Sequence, residues 1–338
     1  MNILNLQNAS NRVQFCKVLA ISEDALKSAL ANHKYYTFKV TKKNGKLRKI
    51  EDPNDERQYV QQRLSFELYP LYKTVLPPYV HGYIPTAISQ NGSRSILSNA
   101  EAHLNCNFMV NLDLLDFFHQ ITISKIRGCL SKVYKIRSLN IIDLIVKIAC
   151  YEGRLPMGSP CSPVLSNMIV IDLDGALFDY CQAQNITYTR YVDDLSFSSK
   201  LEITGVQIET LKKIILNEGF LLNEEKFRIF HQNDPKKVTG LVVHQGKLDV
   251  SDDYLNSLSR NIKKLKRIKR TYQHMRMLHP ELKTNLQSRY RLIKSSVAGQ
   301  LSFVQRILQP EDERCLALAE EFDDARTSSE VVDLHLYF

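Results

Sequence analysis

The sequence lacks several features that would place it in other classes of protein. Its seven cysteines are odd in number and include no CxxC pair, so we expect reduced thiols rather than a disulfide framework or a zinc site. No apolar run approaches the length of a membrane span, and the N-terminus has no charged-then-apolar signal pattern. There is no internal repeat and no low-complexity linker. These absences favour a cytoplasmic protein that has no membrane partner.

Acidic residues are scarce in one long segment near the C-terminus. Residues 255–308 contain 13 lysines and arginines but one acid, whereas residues 311–338 contain nine acids and two arginines. In a chain of net charge +9, this asymmetry predicts a nucleic-acid-binding region followed by an acidic tail. Apolar Ile262, Leu265 and Ile268 have the spacing of a helix with one buried stripe and a basic opposite face. The alternative is a solvated charged helix, which so one-sided a charge disfavours.

Two adjacent carboxylates stand in the tetrapeptide Tyr191-Val192-Asp193-Asp194. The flanking residues are rich in β-branched and aromatic types, which predicts two short strands joined by a turn. Adjacent carboxylates repel each other, so a site that keeps both ionised usually needs a cation. A plain solvated turn is the alternative, because Asp is a common turn residue.

A third candidate carboxylate, Asp113, ends the apolar stretch 108–113. An ionised Asp at the end of a buried strand is costly unless it is paired or bound to a metal. Asp113 could instead cap a following helix. Together with Asp193 it would build a two-Mg²⁺ site, in which one ion activates a hydroxyl and the other holds a triphosphate and the leaving pyrophosphate. That is the chemistry of a polymerase.

Two further segments carry turn and helix signals. Asn44-Gly45 divides residues 36–50 into a basic hairpin, because a two-residue turn needs positive φ at both central positions. Residues 155–167 begin as a loop, and Ser162 followed by Pro163 predicts the N-cap and the first residue of a helix. Ser22 is a second predicted N-cap, for a helix over residues 23–30.

Taken in order, these segments resemble a reverse transcriptase, and in particular the retron-type enzymes of bacteria. The resemblance runs from about residue 36 to about residue 308 and includes Asn223-Glu-Glu-Lys226 after the two-aspartate turn. Two short signals indicate retrons: Asn99-Ala-Glu-Ala-His103 before the Asp113 strand, and Val238-Thr239-Gly240 after the predicted palm.

The resemblance implies an α+β, right-hand polymerase fold with fingers, a palm built on an antiparallel sheet backed by helices, and a helical thumb. On this basis we assign fingers to residues 1–88 and 121–156, and palm to 89–120 and 157–248. Thumb covers residues 249–310, and the acidic C-terminal tail covers 311–338.

The resemblance also implies roles for individual residues. Asp113, Asp193 and Asp194 would hold two Mg²⁺ ions, and Lys226 would protonate the leaving pyrophosphate. The predicted nucleotide-binding residues are Lys42, Lys46 and Arg48 on the triphosphate, Phe118 as the steric gate against a 2′-hydroxyl, and Gly158 where backbone approaches the nucleotide. The predicted RNA-binding residues are Asn99, His103, Val238, Thr239, Gly240, Lys263, Lys264, Arg267 and Arg270.

Each of these roles has a plainer alternative. The basic hairpin could serve solubility, residues 155–167 could be an ordinary loop-to-helix junction, and Lys226 could be a surface lysine. Of Phe117 and Phe118, at least one is expected in the core, since neighbours in sequence cannot both face one site. The chain also departs from the family at Met157, usually Gln, at His119, often Pro, and at Val192, usually Ala in retron enzymes. These departures bear on base-pair contact, fidelity and dNTP fit, and they leave the carboxylates untouched.

The function implied is RNA-directed DNA synthesis on a cognate structured noncoding RNA that serves as primer and template. In the family a guanosine 2′-hydroxyl primes synthesis and leaves branched, RNA-linked DNA (msDNA), in a defence against phage that includes an effector protein. The expected partners are that RNA, its DNA product, dNTPs and an effector, in the bacterial cytoplasm. The alternatives are a mobile-element enzyme such as a group II intron reverse transcriptase, and a catalytically idle RNA-binding protein on a polymerase scaffold.

Overall fold

The computed structural model describes residues 4–41, 45–89, 92–278, 283–309 and 311–327. The chain divides into two compact units, residues 1–234 and 235–338. The finer boundaries of fingers, palm and thumb stay predictions.

The first unit combines helices with a hairpin and a four-stranded sheet. Its helices are α1 Arg12–Leu19, α2 Glu23–Ala31, α3 Asp55–Lys73, α4 Ile96–Glu101, α5 Ile123–Lys132, α6 Leu139–Ala149, α7 Ser162–Ile169, α8 Ile171–Ala183 and α9 Gly205–Asn217. Its strands are β1 Tyr35–Thr41, β2 Leu47–Pro53, β3 Phe108–Asp113, β4 Thr187–Tyr191, β5 Asp194–Ser199 and β6 Arg228–Phe230. Two 3₁₀ helices cover Phe117–Gln120 and Glu224–Lys226.

The four-stranded sheet places β3 at its centre. The strand order is β4-β5-β3-β6, and every neighbouring pair is antiparallel. The sheet contributes Val110, Leu112, Leu195 and Phe197 to a hydrophobic core. Helices that precede and follow these strands in the sequence pack into the same core. Because one face is packed in this way, the pairing register of the strands is strongly specified.

The predicted basic hairpin is present. Strands β1 and β2 pair antiparallel down to Thr41 opposite Leu47. Asn44 lies outside the described residues, so the Asn44-Gly45 turn stays a prediction. Gly45 has φ +78°, a conformation that glycine adopts without steric cost.

Two helix starts were predicted, and one is confirmed. Ser22 is the N-cap of α2, and its side chain accepts a hydrogen bond from the backbone N–H of Ala25 at 3.1 Å. Ser162 is instead the first residue of α7, with Cys161 at the N-cap position. The hydroxyl of Ser162 donates to the carbonyl of Pro156 at 2.6 Å, so it fixes the preceding loop and does not cap the helix.

The described residues of the second unit form a small sheet and three helices. Strands β7 Lys236–Val238, β8 Leu241–Val243 and β9 Leu248–Val250 form an antiparallel sheet. They are followed by α10 Asp252–Leu278, α11 Lys283–Ile307 and α12 Glu313–Thr327. Ile262 and Leu265 are buried on α10 as the sequence periodicity predicted.

The described part of the predicted acidic tail is a packed helix. On α12, Cys315, Leu318, Phe322 and Ala325 are buried in the same core as the apolar residues of α10 and α11. Burial of a Leu or Phe side chain contributes roughly 1.5–3 kcal/mol, so α12 is an integral part of this unit. Among the residues that the structure describes, no helix is long and apolar enough to cross a membrane.

Candidate active site

Three carboxylates converge where two strands of the central sheet meet a turn. Asp113 is the last residue of β3, and Asp194, the first residue of β5, pairs directly with it. Asp193 lies in the turn between β4 and β5. One carboxylate oxygen from each residue lies within 4.8 Å of the others. The sequence-predicted triad is therefore assembled as a single cluster.

The three carboxylates lie close together, so their negative charges repel one another. Burial raises the pKa of Asp193, and the charge of Asp113 raises it further. Burial and the charge of Asp193 raise the pKa of Asp194 to about 7. All three side chains offer the hard oxygen donors that Mg²⁺ prefers. A divalent cation would relieve the repulsion, so the donor set fits the predicted metal.

The ammonium group of Lys226 is the cation that contacts this cluster in the structure. It forms an ion pair with Asp113, and the side-chain amide of Asn223 donates to the same carboxylate at 3.2 Å. Burial alone would lower the pKa of Lys226, but its hydrogen bond and charge pairing with Asp113 raise it. Lys226 is thus protonated and adjacent to the carboxylates.

A buried arginine holds the turn that carries Asp193. The guanidinium of Arg190 is fully buried and donates to both carboxylate oxygens of Asp174, at 2.8 and 2.7 Å. Its remaining N–H groups reach the side chain of Asn167 at 2.9 Å and the carbonyl of Val192 at 3.0 Å. Because Val192 is a β-branched residue at φ +63°, the turn needs such support to persist.

Gly82 provides the space in which this turn lies. A Cβ atom on Gly82 would stand 2.7 Å from both the backbone nitrogen and the Cγ2 atom of Val192. The carbonyl of Gly82 accepts a hydrogen bond from Asn167 at 2.9 Å. The segment around Gly82 and the catalytic turn are therefore tied to the same buried amide.

Two of the three predicted triphosphate-binding residues, Lys46 and Arg48, lie in the described part of the structure. Lys46 forms an ion pair with Glu225, the neighbour of Lys226. The charge of Arg48 acts on Asp193, whose pKa it lowers. Lys42 lies outside the described residues. The structure thus brings Lys46 to the residue next to Lys226 and places Arg48 within electrostatic reach of the cluster.

Phe118 and Phe117 are both buried, in the 3₁₀ helix that follows Asp116. Their rings lie 5.5 Å apart, and Phe117 also packs against Phe220 at 6.2 Å. The ring of Phe118 faces Tyr83 at 6.3 Å and is only 8% exposed. A gate role for Phe118 stays a prediction, and Tyr83 is the more exposed aromatic beside it.

Gly158 makes a close approach to the hairpin strand β2. It has φ +140°, and a Cβ atom there would lie 2.6 Å from the carbonyl oxygen of Glu51. The N–H of Glu51 donates to the carbonyl of Met157 at 2.7 Å. Contact with β2 is enough to require glycine, so nucleotide contact at Gly158 stays a prediction.

The side chain of Glu51 joins three elements around this point. It is fully buried and accepts two hydrogen bonds from Arg154 at 2.8 Å each. Lys49 and His119 also lie beside it, at 3.0 and 3.5 Å. The hydrogen bonds from Arg154 lower the pKa of Glu51 to about 2. This cluster links β2 to the 3₁₀ helix that carries Phe118.

Comparison with known proteins decides what this site belongs to. A profile described as reverse transcriptase (RNA-dependent DNA polymerase) matches residues 40–243. The chain belongs to the reverse transcriptase family. It is 32% identical over 252 residues to the retron Ec86 reverse transcriptase of Escherichia coli, covering 73% of this chain and 75% of that protein.

One further retron enzyme and one solved structure are also similar to this reverse transcriptase. It is 28% identical over 228 residues to the retron Mx65 reverse transcriptase of Myxococcus xanthus, covering 62% of this chain and 51% of that protein, about half its length. An apo telomerase structure from Candida tropicalis aligns with TM-score 0.45 and 12% identity, over 64% of this chain and 55% of that chain. The predictions of a retron-type reverse transcriptase, an α+β right-hand polymerase fold and RNA-directed DNA polymerase activity are confirmed.

Two residues predicted to bind RNA lie inside this reverse transcriptase. Asn99 and His103 are 0% and 1% exposed. The imidazole of His103 is hydrogen-bonded to the hydroxyls of Ser198 and Thr189, at 2.7 Å each, and burial lowers its pKa to about 3. His103 thus ties the turn after α4 to strands β5 and β4, and both side chains are buried in this conformation. The roles of Asn99 and His103 in RNA recognition stay predictions.

The second retron-associated segment forms the turn between β7 and β8. Val238 pairs with Leu241 and is buried. Thr239 and Gly240 are the two residues between them, at φ +47° and +89°. This is the two-residue turn with positive φ at both positions that glycine favours. The turn presents Thr239 and Gly240 outward, and Val238 belongs to the core of the sheet.

The predicted basic residues of α10 divide by exposure. Lys263, Lys264 and Arg267 are exposed, whereas Arg270 is half-buried. The exposed three share the face opposite the buried stripe of α10, which is the arrangement expected of a phosphate-binding helix.

Several residues that shape this site were missed by sequence reasoning. They are Asp174, Arg190, Asn167, Gly82, Tyr83 and Glu51. Asp174 and Arg190 did carry a weak signal, since each is a charged residue in a largely apolar or β-branched segment. The partner of each could not be read from sequence.

Proposed function

We propose that this reverse transcriptase copies a cognate structured noncoding RNA into DNA, starting from a 2′-hydroxyl of that RNA, within a retron defence against phage. The observation that carries the proposal is the cluster of Asp113, Asp193 and Asp194, with ligand atoms within 4.8 Å. It lies in a chain whose relatives include several retron reverse transcriptases. The product would be branched, RNA-linked DNA (msDNA).

The three carboxylates are proposed to hold two Mg²⁺ ions. When bound, such ions activate an attacking hydroxyl and stabilise the triphosphate and the leaving pyrophosphate. Lys226 carries the proton on Nζ that pyrophosphate would receive as it departs. Its contact with Asp113 keeps that proton beside the reaction centre.

The nucleotide is proposed to lie between the β1–β2 hairpin and the catalytic turn. Lys46 and Arg48 would bind the triphosphate, together with Lys42; Arg is suited to this role because its planar fork donates two hydrogen bonds to phosphate. Phe118 would limit the space beside the sugar, and Gly158 would let the backbone approach the nucleotide closely.

The thumb helix and the retron-associated turn are proposed to bind RNA. Lys263, Lys264, Arg267 and Arg270 would contact backbone phosphates, with strong salt dependence. Thr239 and Gly240, with Val238 beneath them, would contact the folded RNA, and Asn99 and His103 would act by positioning α4. Structured RNA is recognised largely by its shape and its 2′-hydroxyls. We further propose a bacterial cytoplasmic location and an effector protein as partner.

Primed synthesis on co-purified RNA tests the proposal. The wild-type protein, supplied with dNTPs and Mg²⁺, should make DNA covalently linked to that RNA. Asp193→Asn/Asp194→Asn should make none, and a chelator should abolish synthesis by the wild type. Linear primed DNA would favour the mobile-element alternative. One specific bound RNA without any DNA product would favour the idle RNA-binding protein.

A further inference from the structure

Tyr83 has a backbone conformation that is unusual for its residue type. Its φ is +57°, in the left-handed region where a side chain other than glycine costs roughly 1–2 kcal/mol. Such strain persists only where the surroundings fix the chain, and it concentrates at functional sites. The strained backbone conformation of Tyr83 therefore needs a structural or functional explanation.

The surroundings fix Tyr83 to the catalytic turn. The N–H of His81 donates to the carbonyl of Arg190 at 2.9 Å, and the carbonyl of Gly82 accepts from buried Asn167 at 2.9 Å. The carbonyl of Tyr83 itself accepts from the hydroxyl of Tyr69 at 3.4 Å. Since Arg190 and Asn167 also hold the turn before Asp193, Tyr83 and Asp193 share one buried scaffold.

The side chain of Tyr83 lies next to that of Phe118, the residue predicted to be the steric gate. Its ring lies 6.3 Å from that of Phe118 at an interplanar angle of 42°. Burial raises the pKa of Tyr83, the charge of Asp193 raises it further, and Arg48 lowers it. The ring thus lies beside Phe118 and within electrostatic reach of both a catalytic carboxylate and the hairpin arginine.

Tyr83 and Phe118 differ in their exposure to solvent. Tyr83 is 41% exposed and Phe118 is 8% exposed. A residue that serves only the core would bury its ring, and a surface aromatic would not require a strained backbone segment anchored by three hydrogen bonds. The exposed ring of the pair is the one that a substrate can reach.

We propose that Tyr83 contacts the sugar of the incoming nucleotide and, with Phe118 packed behind it, forms the wall that selects deoxynucleotides. This inference rests on the proposed function, because it assumes that the nucleotide binds beside Asp193. It adds direct contact by Tyr83 to the gate role proposed for Phe118, whose ring lies beside it. Tyr83 is then a specificity-determining residue of the polymerase reaction.

Steady-state kinetics of the full-length protein on its co-purified RNA test the proposal. The quantity measured is the ratio of kcat/KM for a dNTP to that for the matching ribonucleotide. Tyr83→Ala should lower this ratio about 10-fold, the size expected when a substrate pocket loses part of its wall. Tyr83→Phe, which keeps the ring, should retain the wild-type ratio.

The matched control is Tyr59→Ala on α3. Tyr59 is similarly exposed, at 46%, and lies outside the described site, so this change should leave the ratio unaltered. Tyr83→Leu keeps bulk beside Phe118 without an aromatic ring, and a partial drop in the ratio is expected. This variant tests the proposal if Tyr83→Ala fails to fold.

An unchanged ratio in Tyr83→Ala or Tyr83→Leu would overturn the assignment, as would an equal loss of kcat/KM for both nucleotides. These outcomes require that the wild type synthesise DNA. If the wild type makes no DNA, the proposed function fails first, so the two failures are distinguishable.

Discussion

Asp174 and Arg190 carry opposite charges in a part of the palm from which water is excluded. Both side chains are 0% exposed, and their closest atoms lie 2.7 Å apart. A buried ion pair of this kind is weak evidence for net stability, because desolvation offsets much of the attraction. Its specific effect here is to orient the N–H group that holds the carbonyl of Val192.

We predict that Asp174→Asn lowers both stability and DNA synthesis. Removal of one partner leaves the Arg190 charge uncompensated, which costs on the order of 3–5 kcal/mol. The measurement is the free energy of unfolding in urea, followed by dNTP incorporation at a temperature where the variant remains folded. Asp179→Asn, an exposed change on the same helix, should alter stability by less than about 0.5 kcal/mol. Equal effects of the two changes would contradict the role given to Asp174.

Gly82→Ala should reduce activity through the catalytic turn. The added Cβ would meet the backbone nitrogen of Val192 at 2.7 Å, and overpacking of this kind costs about 1–3 kcal/mol. Displacement of Asp193 by about 1 Å would lower kcat about 100-fold.

The control is Gly128→Ala on α5, where an added Cβ meets nothing within 4 Å. This change should stabilise the protein by roughly 0.4–1 kcal/mol and leave kcat unchanged. If Gly82→Ala retained wild-type kcat, the close packing at Val192 would not position the carboxylates.

At the scale of elements, Glu51 connects the β1–β2 hairpin to the parts that surround it. The side chains that contact its carboxylate are Lys49 of β2, His119 of the 3₁₀ helix that carries Phe118, and Arg154 of the loop before α7. A two-stranded hairpin is marginal by itself in water. The orientation of Arg48 therefore depends on a buried carboxylate three residues away.

The contribution of Glu51 should depend on pH in a defined direction. Its pKa falls from 4.5 to about 2 in the folded protein, so the stability that it contributes is present above about pH 4.5. That stability is lost as the pH falls toward 2. Glu51→Gln should cost about 3 kcal/mol at pH 7, and the difference from wild type should shrink between pH 5 and 3.

Urea unfolding of wild type and variant at pH 7, 5, 4 and 3 measures this convergence. Glu101→Gln, an exposed change, should track the wild type at every pH. A constant difference between wild type and Glu51→Gln across this range would show that the ionised form of Glu51 is not what stabilises the fold.

The elements differ in how far sequence could predict them. The strand that ends at Asp113, the two-aspartate turn and the stripe of α10 follow from local periodicity, and the structure has all of them. The Glu51–Arg154 pair joins residues 103 positions apart, and no local pattern encodes such a contact. The same holds for Asn99 on the short helix α4 and for His103 in the turn after it, since a polar residue there carries no sign of burial.

At the scale of the whole molecule, the packing of α12 changes how the charge asymmetry of the C-terminal region is interpreted. Lys266 of α10 pairs with Asp324 of α12 at 2.6 Å, and Ser259 donates to Glu321 at 3.0 Å. Acidic residues of α12 thus neutralise part of the α10 charge within the second unit. The exposed Lys263, Lys264 and Arg267 are the residues of α10 that we propose contact phosphate.

Two truncations separate the structural role of α12 from any docking role of the residues beyond it. Deletion after Gln309 removes buried Leu318 and Phe322, each contributing roughly 1.5–3 kcal/mol. We therefore expect a melting temperature lowered by about 10 °C or more and weakened RNA binding. Deletion after Thr327 should keep the melting temperature within about 2 °C, because α12 remains intact. Lys266→Ala, which removes one half-exposed ion pair, should cost less than about 1 kcal/mol.

Loss of effector binding in the shorter deletion alone, with RNA binding intact, would assign docking to residues 328–338. An unchanged melting temperature after deletion at Gln309 would contradict the place of α12 in the core.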